Sequence, residues 1–233
     1  MRTWALSAGL SIVVAGCAVT VDPYEIPLGL LSDRGRALVE PILADVAARV
    51  ELEGSDVRSR PEIYDFLLSE MPFTGGVVRE LNRGQWEITR DPAERDVFIV
   101  ADGRGMRLRF ELVHREPTRR FYVSTGTFDM GLLPKLEGRT LVVMRASPVG
   151  DVVRTDAVVY VRIDTPFYAT LAKGVRSVVE GVVRERSGYF IRAARWVAEE
   201  AAARPDWLYT QVKESKEVDQ GVLEIFRKRF LVR

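Results

Sequence analysis

In MRLRFELVHR, residues 106 to 115, apolar and charged positions alternate. Met106, Leu108, Phe110, Leu112 and His114 fall on one side, with Arg107, Arg109, Glu111 and Arg115 on the other. VVRTDAVVYVRID repeats the pattern, setting Val153, Ala157, Val159, Val161 and Ile163 against Arg154, Asp156, Tyr160 and Arg162. Two-residue periodicity of this kind predicts strands of an antiparallel sheet with one covered and one wet face. Between 85 and 164 the chain shows only such segments, near 85–90, 96–101, 105–115, 119–128, 139–146 and 152–164, with turn signals at 102–105, 116–118 and 147–151.

Around this stretch the period changes. Beyond Pro166, which suits a helix start, Phe167, Leu171, Val175, Val178, Val182, Phe190, Ala194 and Val197 recur at steps of three, four or their multiples. They predict one long helix to about Ala203 whose apolar stripe covers the sheet. Two shorter helices follow, one from Asp206 and one capped by Asp219. Upstream, Ser32 or Asp33 caps a helix with Leu38, Ile42 and Val46 on one side and a kink at Pro41, and Val50 and Leu52 open a short strand. PEIYDFLLSEMPFTGGVVREL, residues 61 to 81, places Ile63, Phe66 and Leu67 on one helical side and is broken by Pro72 and the Gly75, Gly76 pair, giving two short helices. The fold class is therefore α+β: an antiparallel meander of about six strands gripped by a long C-terminal helix, with a short helical extension after it.

Composition narrows the chemistry. The 233 residues are 47% hydrophobic, enough for a sizeable core, and 34 Lys plus Arg balance 33 Asp plus Glu, so no broad basic footprint for nucleic acid exists. One cysteine and one histidine exclude an internal disulfide and the usual structural zinc sites, and no cofactor is expected. The cysteine, Cys17, ends an apolar run from Trp4 to Val14 that has the length of an export signal and is too short to span a bilayer.

Val14, Ala15, Gly16 and Cys17 resemble the lipobox of bacterial lipoproteins. The resemblance implies removal of residues 1–16, a lipid on the Cys17 sulfur, and an extended tether over 17–32; two or more acyl chains anchor stably where one does not. The alternative is a chance cysteine in an ordinary signal peptide or an N-terminal membrane helix. With Ala18 rather than aspartate after the cysteine, the resemblance favours the periplasmic face of the outer membrane over the inner membrane. The basic tail EIFRKRFLVR would touch anionic lipid headgroups or form a solvated helix end.

RVELEGSDVRSRPEIYDFLL, an alternating strand running into a helix with Pro61, Glu62, Tyr64 and Asp65, resembles the opening of the START-like superfamily, also called SRPBCC or Bet v 1-like. The element order extends that resemblance over roughly residues 45 to 203, within a domain placed at 33–203 and followed by an extension at 204–233. Members enclose a hydrophobic cavity between sheet and helix, used for lipids, sterols or polyketides and in some cases for catalysis on them. By that resemblance the chain would bind a hydrophobic small molecule, in particular a lipid, for envelope transfer or sensing. Its protein partners are not specified.

Candidate contacts are Leu108, Phe110, Leu112, Val159 and Val161 on the apolar face, Trp86 or His114 for a polar head, and Gly174, Gly181 and Gly188, which lie seven apart and so share a helix face. The glycines make room either for a ligand or for close helix packing. The loop at 129–138 carries Met130, Leu132, Leu133 and Leu136, to cap a cavity mouth, dip into a membrane or fold onto the core. No G-x-S-x-G or H-E-x-x-H motif is present, and His114 is the one polar group read as inward, so catalysis is not expected. A structural lipoprotein with a filled core is the first alternative and a cyclase- or hydrolase-like enzyme the second.

Overall fold

The computed structural model describes residues 24–129, 135–165 and 172–231, with side chains in the last stretch from 176 onward. The lipobox with Cys17, and Met130, Leu132, Leu133, Pro166, Phe167 and Leu171, lie outside these residues. Strands β1 (Ala48–Val57), β2 (Glu87–Arg90), β3 (Val97–Ala101), β4 (Met106–Arg115), β5 (Arg119–Phe128), β6 (Leu136–Val149) and β7 (Val152–Ile163) form one antiparallel sheet in the order β1-β7-β6-β5-β4-β3-β2. The six-strand meander is present as expected, and β1 joins its edge as a seventh strand, pairing Val50 with Val159 and Leu52 with Ala157.

The turns are specified locally. Between β3 and β4 the Asp102 carboxylate accepts from the backbone N–H groups of Arg104 (2.8 Å) and Met106 (3.0 Å), while Gly103 and Gly105 take φ of 67° and 94°.

Helix α1 (Asp33–Ala44) starts where the Ser32 hydroxyl accepts from Gly35 N–H at 3.1 Å, and it runs through Pro41. It packs Val39 and Ile42 against Phe121, Val123, Leu141 and Val143 on the outer face of the sheet. The face expected to be wet is therefore covered at its centre, which explains why β5 and β6 carry apolar residues on both sides. Val46 is exposed instead of continuing the helical stripe.

Helices α2 (Pro61–Ser69) and α3 (Met71–Glu80) are separated at Glu70, with Pro72 in the first turn of α3. Gly75 and Gly76 lie inside α3 and do not break it. A Cβ on Gly76 would stand 2.2 Å from the Glu217 carbonyl oxygen, so this glycine permits a close backbone approach.

The long helix, α4 (Ala172–Ala203), crosses the inner face. Its buried positions are Val179, Val183, Ala193, Val197, Ala198 and Ala201, whereas Val178 is 43% exposed. At 178 and 182 the expected stripe is out of phase by one residue. A sequence window weights Val178 and Val179, or Val182 and Val183, alike, and the sheet decides which of each pair is inward.

Helices α5 (Pro205–Val212) and α6 (Gln220–Phe230) fold back onto α2 and α3. Asp219 caps α6 by accepting from Gly221 N–H (2.8 Å) and Val222 N–H (3.1 Å). Leu208, Val212, Leu223 and Phe226 enter the same core cluster as Phe66, Phe73 and Val197. The apolar side of the basic tail is thus spent on the core, leaving Ile225 as its exposed large hydrophobic residue among those described.

Candidate functional site

Between the inner face of the sheet and α4 lies a partly open cavity of about 170 Å³. Its sheet wall is made of Leu52, Ile88, Val100, Met106, Leu108, Phe110, Val142, Ala157 and Val159. Its helix wall is Val183, Ser187, Phe190, Ile191 and Ala194, one face of α4, and Tyr64, Leu68 and Met71 close it from α2 and α3. Two aromatic pairs brace the walls: Trp86 meets Phe190 edge-on at 5.4 Å, and Phe110 stacks on Tyr122 at 5.0 Å.

The polar atoms in this setting are few and mostly engaged. The Ser55 and Thr155 hydroxyls lie 3.0 Å apart, and those of Ser124 and Thr140 lie 2.7 Å apart. Burial pushes the Tyr64 phenol well above the usual tyrosine range, against a smaller opposite effect of its hydrogen bond with Thr155. Tyr122 is pushed up for the same reason, with the Arg120 charge opposing. Near the β3–β4 turn, Arg186 of α4 lines the cavity and forms an ion pair with the buried Asp102. Near the β4–β5 turn, the buried Arg120 pairs with Asp65 of α2. Along β5 the eight residue-to-residue steps from Arg120 to Phe128 span about 26 Å, so one ion pair sits toward each end of the hollow.

Of the residues expected from sequence, Trp86, Leu108, Phe110 and Val159 line the cavity together. Val161 is on the same face one step further along, in a filled cluster with Val179. Leu112 is also inward but borders the neighbouring cleft with Arg120 and Tyr122.

His114 does not face the cavity. The register shifts between Leu112 and His114, so that Leu112 pairs with Tyr122 but His114 pairs with Phe121. The extra residue, Val113, makes a bulge that flips everything after it. His114 consequently joins Phe121 on the outer face, their rings 5.2 Å apart, and its Nε2 lies 3.0 Å from Glu116 Oε1. Arg119 chiefly, with His114 second, holds the Glu116 carboxyl below the usual glutamate range.

The glycine line also departs from expectation. Gly181 is exposed with nothing within 4 Å of where a Cβ would be, and a Cβ on Gly188 would meet only the tip of Arg192. Both sit on the solvent side of α4, so they do not border the cavity; Gly174 lies in the first turn. From the apolar loop, Leu136 folds onto the core at the start of β6.

Sequence reasoning missed Tyr122, Arg186, Ser187 and Thr155 as inward groups. Tyr64 was missed as well, although the Pro-Glu-x-Tyr-Asp stretch was a signal that could have found it. Arg186 and Ser187 had no signal, because their inwardness depends on the rotation of α4 against the sheet.

No helix among the described residues is long and apolar enough to cross a membrane. No protein-family profile matches the chain, and no curated protein matches it either. Solved structures with a similar course are those of Ara h 8.0201 (14% identity, TM-score 0.45, 64% of this chain and 96% of that one) and TTHA0849 from Thermus thermophilus (17%, 0.44, 66% and 99%). A third is the di-domain ARO/CYC BexL from the BE-7585A biosynthetic pathway (14%, 0.47, 70% and 53%).

The expectation of a non-enzyme does not stand, since an arrangement of sheet and helix does not by itself mark a chain as non-catalytic. The premise of that expectation fails as well. It counted one inward polar group, whereas Tyr64, Tyr122, Thr155, Ser187 and Arg186 all line the hollow.

Proposed function

We propose that the chain binds a hydrophobic small molecule, a lipid in the first instance, between the sheet and α4, and serves lipid transfer or sensing in a bacterial envelope. The observation that carries this reading is the 170 Å³ cavity with its nearly continuous apolar walls and sparse, largely engaged polar groups. Its size suits one slender aliphatic chain or a single ring system. Removing about 200 Å² of ligand surface from water would contribute about 5 kcal/mol at 25 cal/mol per Å², before the costs of association are subtracted. In the same proposal Cys17 is the lipid attachment site and the periplasmic face of the outer membrane the location. Support for these comes from the sequence: the apolar run, the Val14-Ala15-Gly16-Cys17 stretch and Ala18.

Native mass spectrometry of the purified protein tests the cavity. A bound apolar molecule, or uptake of an added fatty acid or alcohol at one per chain, is the expected result; a protein that carries none and takes up none would refute the reading. For the anchor, Cys17→Ala should abolish incorporation of radiolabelled palmitate, and undiminished labelling would remove the assignment.

A further inference from the structure

Leu68 and Tyr122 each have a second side. Both line the apolar cavity, and both also line a cleft of about 310 Å³ that opens between the end of α2 and strands β3, β4 and β5. Four guanidinium groups border this cleft, those of Arg90, Arg95, Arg115 and Arg120.

The bulge at Val113 is what adds Arg115 to the other three. By simple alternation Arg115 belongs on the outer face; the shift puts it opposite Arg120 on the inner one. Like charges placed directly across a strand pair repel, so this register works against folding unless something compensates. Partial compensation comes from Asp65, whose carboxylate accepts from Arg115 at 2.9 Å and also from Arg120. One carboxylate thus serves two arginines, and the Arg120 side chain is only 7% exposed. Arg90 pairs with Glu70 at 2.7 Å, and Arg95 forms no ion pair among the described residues. Asp96 is the remaining acid on the wall. Four cations against three carboxylates leave the concavity with surplus positive charge beside the apolar hollow.

We propose that this cleft receives the anionic head, a carboxylate or a phosphate monoester, of an amphiphile whose chain occupies the cavity. The proposal rests on the cavity reading above and adds the charge class of the ligand. Guanidinium forks bind such oxyanions in bidentate fashion. A head in this cleft answers the surplus charge of the Arg115 and Arg120 pair while its chain passes Tyr122 and Leu68 into the apolar walls.

The test compares dodecanoate, dodecyl phosphate and dodecanol, titrated into the full chain by calorimetry at low and high salt. Either anion should bind at least tenfold more tightly than the alcohol, with an advantage that shrinks as salt is raised, and the preference between the two anions identifies the head. In the double variant Arg95→Gln, Arg115→Gln, whose positions are accessible and whose folding is checked by thermal melting, the anions should lose at least tenfold in affinity while dodecanol keeps its own. Equal binding of anions and alcohol, or anion affinity unchanged in the variant, would overturn the head site and leave the cavity reading standing. Failure of all three to bind would overturn both.

Discussion

The aromatic cluster beneath α2, α3 and α6 and the hollow beneath α4 are adjacent and are built from the same kinds of residue, yet they are filled differently. In the cluster, Phe66, Phe73, Phe226 and Phe230 stack and tilt with ring centroids 5.2 to 5.9 Å apart, and Phe73 and Phe226 are fully buried. Under α4, the aromatic pairs Trp86–Phe190 and Phe110–Tyr122 line a gap instead of closing it. An unfilled apolar space sacrifices dispersion contacts and so lowers stability. The dense cluster packs α2, α3 and the end of α4 against one another beside the hollow. Close packing and open space are thus concentrated in neighbouring but different parts of one interior.

The contrast can be broken most forcefully at Phe226. Phe226→Ala should lower stability by about 3–5 kcal/mol in chemical denaturation, as expected for an aromatic removed from a filled site. A loss under about 1 kcal/mol would show that the cluster is loose and that the contrast fails.

Next in size, Gly76→Ala forces a Cβ against the Glu217 carbonyl in the dense region and should cost about 1–3 kcal/mol by the same measurement.

In the hollow the same kind of insertion should behave differently. Ala157→Leu enlarges a wall residue into open space, so its effect on stability should stay within about 1 kcal/mol, while uptake of an aliphatic ligand falls at least tenfold. A large loss of stability there would mean that the space is already occupied by side chains.

The smallest effect concerns Tyr64, which belongs to both regions. Its folded-state phenol, like that of Tyr122, is raised by burial above the ordinary value of 10.0. The stability linked to both groups is complete below that ordinary value and is lost as pH climbs toward the raised folded value. Tyrosinate absorbance in an alkaline titration should show these phenols lagging behind exposed ones until the protein unfolds, and Tyr64→Phe should flatten the fall of stability above pH 10.

Much of this architecture was legible in the chain. The alternation in 106–112 and 153–163, the turn residues at 102–105, and the caps at Ser32 and Asp219 act over a few residues, and each appears in the structure where the pattern placed it. Four proposed contacts, Trp86, Leu108, Phe110 and Val159, meet in the cavity because they lie where the alternation is unbroken. The misplaced ones share one cause, a choice between neighbours that local pattern leaves degenerate. Gly181 and Gly188 turn outward because α4 is rotated so that Val179 and Val183 meet the sheet.

The sequence by itself determined the α+β class, the antiparallel meander, the long helix and the apolar character of the sheet's inner face, since propensity, periodicity and turn chemistry are properties of short windows. Only the tertiary structure decided that α1 covers the outer face, that the last two helices complete the core, and that the bulge at Val113 exchanges His114 for Arg115 on the inner face. A one-residue shift in strand pairing reverses every side chain beyond it, and that shift is fixed by the partner strand β5 and not by the residues of β4 alone.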